Sequence, residues 1–157
     1  MYIKRIEYYH SSYQGGQRGQ QGRPQQYRQG ERKKFEFNPD FFDEANNINI
    51  EWLDKKAQEL ANDLADWKLS TSQLRNFYNE FLRIQNIPQE AKNQKVALIK
   101  LLKAKAKYKE MASGSEKFPK LFTLFIHKLV DEIGHDIERF NNACLIMEAL
   151  IGFSPKK

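Results

Sequence analysis

Residues 69–84 read LSTSQLRNFYNEFLRI, and the fold class follows from that stretch. Ser70 stands where a helix N-cap is wanted, with Gln73 three residues on, a pair in which each side chain can satisfy the other's backbone N–H. Leu69 before the cap and Leu74 beyond it can meet as a hydrophobic staple. Leu74, Phe77, Tyr78, Phe81 and Ile84 then recur at three- and four-residue spacing, which predicts a helix over about 71–86 with one apolar stripe.

The same period continues on both sides. Upstream, Leu53, Ala57, Leu60, Leu64 and Trp67 share a face of a helix over about 50–67, with Glu51, Glu59, Asp63 and Asp66 off it. Downstream, a helix over about 89–112 starts behind Pro88, and Gly114 suits its end. Its apolar side is expected at Ala97, Leu101, Ala104 and Tyr108, extended by Leu98 and Leu102. A fourth helix over about 118–133 has Phe118, Leu121, Phe122, Phe125, Leu129 and Ile133 as its core side, and Gly134 breaks it. The fifth, over about 136–151, is apolar around most of its circumference. Such a helix is either central in a bundle or covered by another chain. Period-two alternation is absent. The predicted class is all-α, a compact bundle of about five helices over 50–153.

The N-terminal part is different. Residues 1–34 form a basic tail whose Gln/Gly/Arg tract, 11–34, has almost no aliphatics and is predicted to be disordered, because it cannot bury enough apolar surface to offset its chain entropy. Phe35, Phe37, Phe41 and Phe42 follow. Residues 35–49 read as an aromatic arm laid across the core. No apolar run approaches the ~20 residues of a membrane span, and the first residues lack the pattern of a secretory signal. The single Cys144, among Ala143, Leu145, Ile146 and Met147, reads as a small buried hydrophobe. These features point to a reducing, cytoplasmic setting without a membrane partner.

Charge is laid out in blocks. Residues 1–34 carry a net +6, 35–67 a net −7, 68–128 a net +9, and 129–157 a net −2. A basic middle between acidic segments suggests one face built for a polyanion. The third helix concentrates it. Lys92, Lys95, Lys100, Lys103, Lys105, Lys107 and Lys109 lie in one element, with no Asp or Glu between Lys92 and Lys109. At 100° per residue, Lys92, Lys100, Lys103 and Lys107 share a narrow arc. A helix built only for solubility mixes in Glu at i,i+4; this one accepts repulsion instead, as phosphate tracking requires. Arg75 and Arg83 in the second helix and Lys68 before it join the candidate RNA-binding set. Arg75 follows a capped first turn, where a planar fork can hold a phosphate, although pairing with a carboxylate such as Glu80 is the plainer reading. In the tail, Arg18, Arg23 and Arg28 among Tyr8, Tyr9, Tyr13 and Tyr27 match the composition of RNA-binding arms, or of a merely solubilising leader.

Other chemistries fare worse. His127, Asp131 and His135 fall at i, i+4, i+8, but Gly134 interrupts their helix and the ligand set is short. Cys144 lies in surroundings that raise its pKa. No Gly-rich phosphate loop occurs in the folded part. No catalytic residue, metal or cofactor is therefore expected. A stand-alone helical adaptor, whose last helix binds a protein while the lysines are plain surface, is the alternative to an RNA role, and a small metal-dependent phosphohydrolase is the third possibility.

Three segments carry a resemblance. Leu69-Ser-Thr-Ser-Gln-Leu-Arg75-Asn-Phe-Tyr78 resembles the signature of the small subunit of type III-A CRISPR effector complexes, the Csm small-subunit family. Leu98-Ile-Lys-Leu-Leu102-Lys-Ala-Lys-Ala-Lys-Tyr108 is similar to that family's Lys-bearing helix, and Phe140-Asn-Asn-Ala-Cys-Leu-Ile-Met147-Glu148-Ala149-Leu150 to its closing helix. The resemblance covers about residues 50–153. The family's usual terminal Tyr-His is replaced by Gly152-Phe153. The resemblance implies a non-catalytic helical subunit whose copies stack head-to-tail beside the backbone and large subunits and touch the sugar-phosphate of guide and target RNA. It transfers that role to Arg75, Lys103, Lys105 and Lys107; Lys68, Arg83, Lys92, Lys95 and Lys100 come from the charge pattern alone.

Overall fold

Short polar side chains cap three helical starts, Asn49, Ser70 and Asp136, in the computed structural model, which describes residues 4–7 and 34–155. The chain divides into two units, Met1–Asn38 and Pro39–Lys157. In the first, β1 (Lys4–Glu7) pairs antiparallel with β2 (Lys34–Phe37), Lys4 opposite Phe37 and Glu7 opposite Lys34. Four residues are too few to establish a period, so the sequence pattern does not announce this pair. The disorder expected for the tail falls mostly on 8–33, outside the described residues.

The second unit is all-α. Asn49 caps a 3₁₀ turn, Ile50–Leu53, by accepting the Glu51 N–H, and α1 (Lys55–Asp66) follows. α1 buries Ala57, Leu60, Ala61 and Leu64. Leu53 and Trp67, expected on that face, are half-buried, and Trp52 from the 3₁₀ turn takes the core position. α2 (Thr71–Gln85) carries the expected reciprocal cap: the Gln73 N–H donates to Ser70 Oγ at 3.0 Å and the Ser70 N–H to Gln73 Oε1 at 2.9 Å. Leu69 and Leu74 are both buried beside it. A 3₁₀ turn, Gln89–Ala91, leads into α3 (Lys92–Met111). α4 (Lys120–Ile133) buries Leu121, Phe122, Phe125, Leu129 and Ile133, and ends at Gly134 with φ +59°, a conformation suited to glycine. α5 (Ile137–Phe153) is capped by Asp136, which accepts the Arg139 N–H at 3.0 Å.

α5 packs on α1, α2 and α4, so of the two alternatives for a helix apolar on nearly every side it takes the central one. α3 packs chiefly on α4 and more sparsely on α2, and α1 packs chiefly on α5. Aromatic rings knit the layers. Phe81 stacks on Phe140 at 5.8 Å, and Phe77 meets Phe118 and Phe122 edge-on at 5.7 and 5.3 Å. Such pairs add about 0.5–1.5 kcal/mol each beyond the area they bury. Cys144 is buried in this core, and burial pushes its thiol up to about 12.

The segment before α1 is held at both ends. Phe41 is fully buried, its ring 4.6 Å from Trp52 and 5.9 Å from Phe125. Asp43 folds the following turn by accepting the N–H groups of Ala45 and Asn47, both at 2.9 Å. Those bonds favour its ionised form and lower its pKa. Arg139 then clasps the loop to the start of α5, donating to Asn46 Oδ1 at 2.7 Å and to the Asp43 carbonyl at 3.1 Å, with the Phe42 ring under its guanidinium. Among the described residues no helix is long and apolar enough to cross a membrane.

Candidate nucleic-acid interface

α3 has three sides, and the sequence pattern identifies only one of them correctly. The buried stripe is Lys95, Ile99, Leu102, Ala106 and Glu110. The stripe expected to be buried, Ala97, Leu101, Ala104 and Tyr108, is exposed instead, with Leu101 at 49 % and Tyr108 at 76 %. The reason is that α3 is apolar on two neighbouring sides, and the side that packs has charged residues at both ends. Lys95 and Glu110 disguise it as surface. The lysine arc holds: Lys92, Lys100 and Lys107 are exposed and Lys103 half-buried on the flank toward α4.

Lys95 is removed from the candidate set. It is 3 % exposed, and its ammonium donates to the carbonyls of Gln85 at 3.1 Å and Ile87 at 3.2 Å. Those carbonyls close α2 and have no partner within that helix, so a cation from α3 caps it, where the macrodipole also favours positive charge.

The run of α3 without acid, Lys92 to Lys109, finds part of its counter-charge on neighbouring helices and part at Glu110, the helix's own last turn. Lys103 pairs with Asp131 of α4, Lys105 with Glu80 of α2 at 2.8 Å, and Lys107 with Glu110 at 3.1 Å. The hydrogen bond from Lys105 holds the Glu80 carboxyl below the usual range. Arg83, not Arg75, shares Glu80, at 3.6 Å. The Lys103 and Lys105 pairs lie at the surface, where such pairs are worth about 0–1 kcal/mol each, so a phosphate can displace the carboxylate at small cost; Glu110 is buried, so Lys107 stays its counter-charge. Among the described residues no carboxylate pairs with Lys68, Arg75, Lys92 or Lys100, all of them exposed. Lys109, left out of the sequence-derived set, also has no acidic partner there, on the α2 side of the helix beside Lys105.

Lys68 is held in an unusual way. Its φ is +69°, and the Leu69 N–H reaches back to the Leu64 carbonyl at 2.9 Å while its own N–H bonds Ala65 O at 2.9 Å. This is the Schellman closure of α1 with lysine in the left-handed position where glycine is at ease. Lys68→Gly is therefore expected to stabilise the fold by about 1 kcal/mol, seen as a higher urea midpoint at unchanged slope. A lower midpoint contradicts it.

Two of the three acid and imidazole groups that spacing brought together are engaged elsewhere. His127 Nε2 lies 3.3 Å from the Lys103 carbonyl, and Asp131 holds Lys103. No group of three or more His, Cys, Asp or Glu able to hold a metal occurs among the described residues.

In comparisons with known proteins, residues 45–154 match the model of the family described as Csm2 Type III-A. No curated protein and no solved structure matches the chain. The matched span contains Lys68, Arg75, Arg83 and the lysines of α3, and leaves out the arginines of the tail.

Proposed function

Because this chain belongs to the Csm2 Type III-A family, the small subunits of type III-A CRISPR complexes, we propose that it is a non-catalytic subunit whose copies stack along guide and target RNA and contact their backbone through the α3 lysine arc. The observation that carries this reading is the state of the cations. Lys92 and Lys100 stand exposed without an acidic partner among the described residues, Lys103 beside them holds a surface carboxylate that a phosphate can replace, and Lys107 is exposed on the same arc. Lys68 supports it from a second element. A lysine kept where glycine would relieve backbone strain breaks a local folding rule, and such breaks concentrate at functional positions. Arg75 presents a fork one turn into α2 that no carboxylate among the described residues pairs with.

The chemistry asked of such a face is modest. Base pairing between guide and target supplies sequence selection, so the subunit needs charge at a repeated spacing and no base-reading side chain. The proposed partners are guide RNA, target RNA and the other subunits of the complex. A stand-alone adaptor is the weaker reading, since it leaves the unpaired cations without a use.

Salt-titrated binding of single-stranded RNA to the full chain tests the proposal. Binding is expected to be sequence-indifferent, with log K falling linearly against log salt. Lys100→Glu combined with Lys103→Glu is expected to lower affinity at least tenfold and to flatten the slope by about two units, one per lost phosphate contact. Unchanged affinity and slope refute the lysine arc as an RNA face.

A further inference from the structure

α3 leaves an apolar seam open. Ala97, Leu101, Ala104, Tyr108 and Met111 follow one another at spacings of four, three, four and three, the rhythm of a seam that packs against another element. Yet all five are exposed, Tyr108 at 76 % and Met111 at 74 %. Because α2 and α3 pack sparsely, the seam borders a cleft of about 560 Å³ between them. Phe77 and Phe118 form its buried floor, Leu101, Ala104 and Tyr108 its α3 wall. Lys105, Lys109, Glu80 and Glu116 lie around it, and Lys105 already neutralises Glu80.

The complementary feature lies in the turn before α1. Ile50, in the 3₁₀ turn before α1, is 73 % exposed, and Glu44, Glu51, Asp54 and Glu59 around it in sequence are exposed as well. Residues 40–66 hold eight carboxylates against Lys55 and Lys56, whereas residues 92–120 hold nine lysines against Glu110 and Glu116. An apolar knob in an acidic surround and an apolar cleft in a basic surround thus occur on one chain. α1 packs chiefly on α5, whereas α3 packs on α4 and α2, so the knob and the cleft of one copy belong to different packing layers.

We propose that the α2–α3 cleft receives the Ile50 corner of a second copy of this chain. Two clefts facing each other would set one lysine arc against the other, at a Coulombic cost that the corner avoids. A knob-to-cleft contact is heterologous, so it leaves one free knob and one free cleft and propagates. The inference rests on the stacking reading above and names the two surfaces that would make the stack.

Analytical ultracentrifugation of the full chain decides it. The wild type is expected to self-associate progressively, more weakly as salt rises. Ile50→Asp and the pair Leu101→Asp with Tyr108→Asp are each expected to weaken association at least tenfold. Their mixture is expected to form a one-to-one dimer that grows no further, because one variant keeps its cleft and the other its knob. All of the altered residues are exposed, so helical content by circular dichroism stays at the wild-type value; should an aspartate variant lose helix, Ile50→Ser and Tyr108→Ala replace it. The proposal is overturned by a wild type monomeric to about 1 mM, by Ile50→Asp associating as well as the wild type, or by a mixture that stays monomeric. RNA binding is read in parallel. Lost RNA affinity with intact association faults the lysine arc, and the reverse faults this contact.

Discussion

Lys95→Glu is expected to cost about 3–5 kcal/mol of folding stability, enough to consume much of the roughly 5–15 kcal/mol a domain of this size has. The ammonium is buried and bound to the Gln85 and Ile87 carbonyls at 3.1 and 3.2 Å. A carboxylate there removes the donors and faces two carbonyl oxygens with charge of the same sign, in a site water cannot reach. Lys95→Met keeps the packing of the stem and only strands the two carbonyls, at about 1–3 kcal/mol each as an upper range. The order wild type, Met, Glu should therefore appear in urea midpoints at a common slope. The result also separates two meanings of a lysine. For Lys95→Met, RNA affinity per folded molecule should equal that of the wild type, in contrast to the Lys100 and Lys103 reversal. A Glu variant as stable as the wild type would show that Lys95 does not cap α2.

That contrast shows what a charge pattern can convey. The lysine arc of α3 is legible because Lys92, Lys100, Lys103 and Lys107 return to one bearing. The helices themselves are legible for the same reason, and the α2 cap is legible because Ser70 and Gln73 act within three residues of each other. Partners far apart in sequence are not. Nothing local says that Lys95 reaches back to the end of α2, or that Asp131 and Glu80 supply counter-charge to α3. The rotation of α3 has the same origin. Two apolar stripes compete there. Ile99, Leu102 and Ala106 prevail because α4 packs against that side, while the four-three repeat of Ala97, Leu101, Ala104, Tyr108 and Met111 is left exposed. A stripe ending in charged residues is discounted in any reading by polarity, although one of those charges caps a neighbouring helix and the other pairs with Lys107.

Phe41→Ala should be the other severe substitution, at about 3–5 kcal/mol. Phe41 precedes the helices in sequence and belongs to no regular element, yet its ring is fully buried between Trp52 and Phe125. Its backbone is fixed as well. The Phe41 carbonyl accepts the Asn49 N–H at 2.8 Å, Phe42 bridges to Ile48, and the turn between them is clasped by Arg139. A site pinned on both sides collapses little when its ring is removed, so the cavity remains and the cost stays near the upper end of the range. The loss is visible in two ways: a lower urea midpoint, and a red shift of tryptophan emission as water reaches Trp52, which is 2 % exposed in the intact fold. Phe42→Ala is the internal control. Phe42 is only partly buried, and its removal takes away the Arg139 contact without opening the core, so it should cost about 1 kcal/mol or less. Equal losses for the two would mean that the segment is anchored by its arginine clasp and not by the buried ring.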